Sequence, residues 1–522
     1  MKRILIVIIV AGILCAWLLP AGPHAAGTPT PVMRVPNEDF KDVRSLITQA
    51  VGEKAIASAA VGVAHGGKIV WMEGLGWANG PQRVRATAHT AYPIASITKP
   101  LTATAIMMLA ERGEIDIDKP AEKYMKPLKF TAHRGKSGDV TVRHLLNNTA
   151  GLPMHFNYFY VDEAYDPPGF EETLHRYGVL VHEPGEIFQV SNLGYEVLGH
   201  IISEVSGTTY EDFMRKEVLD PLGMVTTWVG LHPEWSGLAA EKYDSGLRPI
   251  PDMRTDTPAA GEGFASVYDL LRFGMFHLKN NLPGAPALLS KNAIEAMQTE
   301  KSETADYNSE DFYGLGWAFK DNDYGYRTVW HEGGIGGARS MLKLVPSENI
   351  AVVVLINGWN EDLTRRIADG ALGTLLPEYK KNLEDGPTRR KPGVGPYEPD
   401  PELTALYEGE IKTYAGDVPV KMNFQADGDI HFLKPLDIDR TWVLQDQDYF
   451  DRVLNDTGMK GSRIYGWVDG HMPTGDASRH PHVLVVDLMR DGDRLYGSVT
   501  ALSAAERLYF SLSYYITLKM QN

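Results

Sequence analysis

Apolar positions along this chain change their period at a few definite points, and the changes mark its elements. From Ile97 the residues Ile97, Leu101, Ala105, Ile106 and Leu109 recur at three- and four-residue steps. That is the period of an amphipathic helix. Ser96 stands where an N-cap or first-turn residue belongs, Pro100 falls early enough to be tolerated, and Gly113 closes the segment. A helix is expected over residues 39–51 before it. Ala59–Ala64 and Lys68–Met72 read as a hairpin around His65-Gly66-Gly67. Further helices are expected over Val140–Pro153, over Glu196–Val205 (stopped at Gly207), and after Ser266, where Asp269 completes an approximate capping box. Asp220–Met224 reads as a turn. Tyr313–Phe319, Arg327–Trp330, Arg339–Val345 and Ile350–Ile356 read as antiparallel strands, and Glu361–Leu376 as a last helix. Strands at both ends with helices between them predict one α+β domain whose terminal strands share a sheet.

Beyond a Pro-rich stretch at 384–401 the period becomes two. Arg507–Met520 alternates along its whole length, and Val418–Phe424 and Arg494–Val499 behave likewise. Asp427-Gly428 and Asp491-Gly492 mark turns. The expected organisation is therefore an α+β domain over 37–383, with an antiparallel sheet flanked by helices and a helical subdomain. A linker over 384–401 and an all-β barrel or sandwich over 402–522 follow it.

Length and composition refine this picture. At 522 residues the chain exceeds one ordinary core, and 43% hydrophobic with 23% charged residues is globular composition. A formal net charge of -16 argues against nucleic acid and anionic membranes as partners. Residues 1–26 pair a Lys2-Arg3 start with an apolar run ending at Pro20 and a small-residue region, the layout of a cleaved secretory signal. No stable membrane insertion is expected after cleavage. The single cysteine, Cys15, lies in that segment, so the remaining chain has no thiol for a disulfide, a metal or a nucleophile. Export without cysteines fits a bacterial periplasmic or secreted protein.

The candidate chemistry is Ser96-Ile-Thr-Lys99. Three apart on a helix, the hydroxyl and the amine can meet, and an amine kept neutral by burial can activate a hydroxyl. A second copy, Ser340-Met-Leu-Lys343, lies on an expected strand, where positions three apart face opposite ways, and is read as chance. His331-Glu332 does not begin a His-Glu-x-x-His zinc site, because Ile335 stands at the last position. His471, His480 and His482 are spaced too loosely for a metal. No cofactor or metal is expected.

With these segments in hand, the chain resembles the serine β-lactamase and penicillin-binding-protein-like family, and within it the class C-type branch that also holds esterases and D-amino-acid peptidases. The resemblance rests on Ser96-Ile-Thr-Lys99, Val190-Ser191-Asn192 and His331-Glu332-Gly333. His144–Pro153, Asp220–Met224, Gly261–Phe273 and Tyr313–Trp317 accompany them. It implies an acyl-enzyme on Ser96, with Lys99 as base or electrostatic partner and Asn192 and His331 beside them. It also implies an oxyanion hole from the Ser96 and Gly334 backbone amides, with Gly333 and Ser191 lining the substrate site. The branch carries a tyrosine where this chain has Val190, which neither donates nor accepts a proton. Three readings stay open: Lys99 acts alone, Tyr195, Tyr158 or Tyr160 reaches in, or the site binds with little turnover. The expected activity is hydrolysis of an ester or a small D-amino-acid amide. The rival reading is a catalytically impaired binding or sensor protein. The expected partner is a small ester or peptide substrate, with oligomerisation through the C-terminal domain open.

Overall fold

A computed structural model describes residues 39–231, 237–302, 311–386, 401–426, 430–433, 442–443, 463–504 and 507–521. The expected export signal, most of the linker and the Asp427-Gly428 turn lie outside them.

The predicted meeting of the terminal strands is the centre of the fold. Ile350–Ile356 lies between Ser58–His65 and Ala338–Val345, with Val61 opposite Val354. Its run of seven apolar residues follows from burial on both faces. Val352, Val354 and Ile356 pack against Val43 and Ile47 of the helix Lys41–Gly52 and Ile367 of the helix Glu361–Leu375. Val353 and Leu355 face the opposite core, with Leu270 and Leu271 of the helix Val267–His277. Among the described residues the sheet has eight strands, in the order Asp311–Tyr313, Ala318–Asp323, Tyr326–Ile335, Ala338–Val345, Ile350–Ile356, Ser58–His65, Lys68–Asn79 and Val84–Arg85.

Several elements differ from expectation, each for a local reason. The helix after Ser96 (Thr98–Glu111) is buried on every side from Thr98 to Leu109, so it is a core helix and not an amphipathic one. Helix over Val140–Pro153 shrinks to Val142–Leu146, closed at its start by a Thr141–His144 capping box and ended where Asn148 turns to a φ of 58°. Glu361–Leu376 continues as a second helix, Pro377–Asp385, because the residue before a proline is driven to an extended conformation, as Leu376 is. Tyr313–Phe319 is broken into two strands by a turn at Gly316 (φ 87°), where a Cβ would lie 2.5 Å from that of Ala103. The turn is thereby pressed onto the helix Thr98–Glu111. Ser266 caps its helix as expected, but the Asp269 carboxylate accepts from Thr226 and Thr227 and does not close the box.

The second Ser-x-x-Lys does point to opposite faces. Ser340 Oγ donates to the Ile94 carbonyl at 2.7 Å, tying the segment before Ser96 to the sheet. Lys343 reaches the other side, 2.7 Å from Asp323 and 2.8 Å from Asp369, and donates to the Tyr379 hydroxyl. Burial pulls this ammonium down, but Asp369 and Asp323 outweigh it and its pKa ends above the ordinary value. Lys343→Ala is expected to leave two buried carboxylates facing each other, at a cost of about 3–5 kcal/mol in thermal or urea unfolding.

The C-terminal strands form a near-closed all-β barrel in the order Trp442–Val443, Ile430–Leu433, Val418–Phe424, Leu406–Lys412, Leu508–Met520, Arg494–Ala504, Val483–Asp491 and Arg463–Asp469. Alternate residues such as Val420, Met422, Leu512, Tyr514 and Ile516 fill its interior. The barrel docks on the first domain by sheet extension: Phe510 and Ser511 pair with Asn157 and Phe156 of the strand Phe156–Tyr160. Arg176 and Tyr177 hold Asp476 from the other domain. Among the described residues no helix is long and apolar enough to cross a membrane.

Candidate active site

Ser96, expected at the N-cap or in the first turn, sits in a single 3-10 turn, Ala95–Ile97, ahead of the helix. Ala95 is held at a φ of 46°, a conformation that a residue with a Cβ occupies at a cost of order 1–3 kcal/mol. Thr98 Oγ1 bonds the Ala95 carbonyl at 2.6 Å, and Ser340 holds Ile94, so the bend is fixed from both sides. The Ser96 hydroxyl is left to face a cavity.

Lys99, one turn on, is 1% exposed. Its Nζ lies 2.9 Å from Ser96 Oγ, 2.7 Å from Asn192 Oδ1 and 3.1 Å from the Ala260 carbonyl. Burial lowers its pKa from 10.5 to about 7. The two other acceptors decide what the neutral amine does. Asn192 Oδ1 and Ala260 O take its two N–H groups, so the lone pair is directed at the Ser96 hydroxyl. Ionisable groups around this amine are His331, Tyr195 (ring 5.7 Å from Nζ), Tyr313 across the cavity, and Glu196, which accepts from Ala259 N and is pushed up to about 8 by burial.

Asn192 is the first residue of the helix Asn192–Ser206. Ser191 is its N-cap, accepting from Gly194 N at 3.3 Å, so the Ser191 hydroxyl is engaged in capping. Asn192 Nδ2 donates to the His155 carbonyl at 2.6 Å.

His331 comes from the strand Tyr326–Ile335 and lines the same cavity as Ser96 and Lys99. Its Nδ1 is 2.8 Å from the Glu332 carbonyl, which can only accept, so Nδ1 carries the proton. Nε2 is then the acceptor for the Tyr313 hydroxyl at 3.1 Å. Burial, with the nearby Lys99, depresses this imidazole to about 3, so it is neutral. Two residues further, Gly333 passes against the nucleophile turn: a Cβ there would stand 2.1 Å from the Ile94 carbonyl oxygen and 3.0 Å from Ser96 N. Only glycine permits that approach. At Gly334 a Cβ would meet the Arg339 guanidinium at 2.0 Å. The four residues Ser96, Lys99, Asn192 and His331, with the Gly333-Gly334 backbone, are thus gathered at one place.

The cavity measures about 320 Å³ and is walled by Phe188, Val190, Phe312, Tyr313 and Trp330, with Asp311 and Glu332 at its rim. Of the three tyrosines considered for the gap at Val190, Tyr195 donates to the Leu146 carbonyl at 2.6 Å and Tyr160 to that of Leu508 at 2.9 Å. Tyr158 packs in the cluster around Ala95 and Ile335. The phenol that does face the cavity is Tyr313, to which sequence reasoning gave no role although its Tyr-Gly-Leu-Gly-Trp stretch stood out. Ala260 and His155, which contribute only carbonyl oxygens, left no signal in the sequence.

A buried amine bonded to a hydroxyl on a strained turn, opposite a glycine-edged strand, is an arrangement able to activate that hydroxyl as a nucleophile. The chain belongs to the beta-lactamase family, whose sequence pattern matches residues 43–374. It is 27% identical over 356 residues to Protein flp of Staphylococcus aureus, covering 67% of this chain and 68% of that one. Its fold is similar to an octameric penicillin-binding protein homologue from Pyrococcus abyssi, at TM-score 0.57 and 23% identity, over 92% of this chain and 100% of the other. It is also similar to D-amino acid amidase from Ochrobactrum anthropi, at TM-score 0.53 and 20% identity, over 67% and 99% of the two chains.

Proposed function

We propose that this protein is an exported serine hydrolase that forms an acyl-enzyme on Ser96 from an ester or a small D-amino-acid amide. The observation that carries the reading is the Lys99 amine, 2.9 Å from Ser96 Oγ, with its remaining hydrogens assigned to Asn192 and Ala260. Neutral Lys99 takes the Ser96 proton as Oγ attacks the carbonyl. The backbone N–H groups of Ser96 and Gly334 receive the oxyanion. The ammonium then returns the proton to the leaving group, and water repeats the sequence to release the acid. His331, neutral and already donating to Glu332, adds no positive charge to meet a substrate carboxylate. That favours esters and amides without a carboxylate over β-lactams, as does the aromatic wall of the cavity. Hydrolysis profiled across short acyl esters, D-alanyl amides and nitrocefin tests this; turnover of nitrocefin alone would overturn the preference. Export follows from the leader, and 37–383 as the hydrolase unit joined through 384–401 to the barrel follows from the sequence pattern.

Val190 supports a second reading, a binding protein that acylates slowly or not at all. No tyrosine hydroxyl is among the three partners of Lys99 Nζ. Val190→Tyr is expected to raise turnover of p-nitrophenyl acetate about tenfold by supplying a proton donor at the cavity wall. Unchanged turnover would show that Tyr313 or water already fills that role.

A further inference from the structure

The barrel docks on the very segment that orients Asn192. Within the strand Phe156–Tyr160, residues Tyr158 to Tyr160 pair with Met253–Thr255 of the first domain. Phe156 and Asn157, the end next to His155, pair with the barrel's Ser511 and Phe510. Just before His155, the Met154 carbonyl accepts from Ser513 Oγ at 2.7 Å. Just after it, Asn157 Oδ1 accepts from Arg479, whose guanidinium also lies 4.2 Å from the Phe159 ring centre. His155 is therefore held from both flanks by the C-terminal domain. Its imidazole is fully buried, with Nε2 2.7 Å from Asp256 Oδ2, and packs 4.6 Å from the Tyr177 ring, whose hydroxyl donates to Asp476 of the barrel.

The His155 carbonyl matters because an asparagine amide has two unlike ends. A carbonyl oxygen can only accept, so it selects the Asn192 NH₂ group and turns the amide oxygen toward Lys99. The reverse orientation would set N–H against the N–H groups of Lys99.

We propose that the C-terminal barrel is a positioning element of the active site: through Ser513, Arg479 and strand pairing it fixes the His155 carbonyl, which sets the Asn192 amide and aims the Lys99 amine at Ser96. This rests on the reading that Ser96 is acylated. His155, Ser513 and Arg479 are positioning residues, and a purely structural role for them would alter stability without altering the titration of Lys99.

The test is the rate of Ser96 labelling by a fluorophosphonate as a function of pH, on the full chain. Ser513→Ala, and Ser513→Ala with Arg479→Met, are compared with wild type, with Ser513→Thr as the conservative variant. Arg490→Ala, which removes an exposed barrel pair with Glu402, serves as control. The plateau is expected to fall about tenfold in the double variant, with KM for p-nitrophenyl acetate little changed. The rising limb is expected to move to lower pH, because loss of an acceptor costs the ammonium more than the amine. His331, Tyr195, Tyr313 and Glu196 surround Lys99 equally in all variants. Ser513→Thr restores both features, and Arg490→Ala matches wild type. Folded variants whose plateau and limb coincide with wild type overturn the proposal. If the double variant does not fold, Ser513→Ala alone decides, since it removes one hydroxyl. Wild-type protein that is not labelled at Ser96 brings down the hydrolase reading itself, a separate outcome from labelling that is insensitive to the barrel.

Discussion

Ser96→Ala is expected to abolish fluorophosphonate labelling and to lower p-nitrophenyl acetate hydrolysis by at least on the order of 10⁴-fold, with the fold intact. The side chain makes no cap and its helix starts at Thr98, so removal of the hydroxyl costs the protein one bond to Lys99. The strain at Ala95 and the close pass of Gly333 stay in place, so substrate affinity should survive the loss of turnover. A binding assay with a non-hydrolysable ester analogue would show this. Equal labelling of mutant and wild type would leave only the binding-protein reading.

The second large effect concerns Lys99. With a pKa of about 7, its neutral fraction grows through neutrality, so kcat/KM for an ester is expected to rise with pH and level off near pH 8. His331, depressed to about 3, adds no limb in that range. Lys99→Arg keeps the charge but not the ability to lose it, and is expected to lower kcat/KM on the order of 10³-fold with the rising limb gone. A folded Lys99→Arg enzyme that kept the limb would assign the base elsewhere, with Glu196 the first group to examine. The same shift has a signature in stability. The unfolded lysine holds its proton up to about 10.5 while the native one releases it near 7, so between these values the unfolded state binds more protons. The contribution of Lys99 to stability therefore rises with pH from 7 to 10.5, and is least favourable below 7. Urea midpoints of wild type and Lys99→Met, measured at pH 6 and pH 9, should converge at the higher value.

How far the sequence disclosed this molecule depends on the kind of signal each part leaves. Ile350–Ile356 was legible as a strand, although its burial on both faces emerged only with the packing of helices on either side, and the meeting of terminal strands followed from element order. The pairing of Ser96 with Lys99 was legible from their spacing, and Asn192 and His331 from the order of the short motifs. What stayed hidden were features set by backbone and by tertiary contact. Nothing in Ala95 itself signals a left-handed residue, since alanine normally avoids that region. The helix Thr98–Glu111 showed an apolar stripe, but threonines on its other faces are also buried, Thr102 bonding Tyr210 and Thr104 meeting His277. His155 acts through its main chain, which any residue type could supply. Tyr313 stood in a stretch that drew notice, yet its role depends on a turn folded back onto another helix.

The strand Leu508–Met520 closes the barrel against Leu406–Lys412 and also completes the pairing of Phe156–Tyr160. Tyr160 and its partner Leu508 stand 348 positions apart. A ribosome therefore delivers the stretch beside the nucleophile long before the stretch that clamps it, and contacts of such range form late. A nascent or prematurely terminated polypeptide that stops short of position 508 keeps the Phe156 end unpaired. Under the positioning role proposed for the barrel, such a chain leaves the His155 carbonyl without the Ser513 contact that braces its flank.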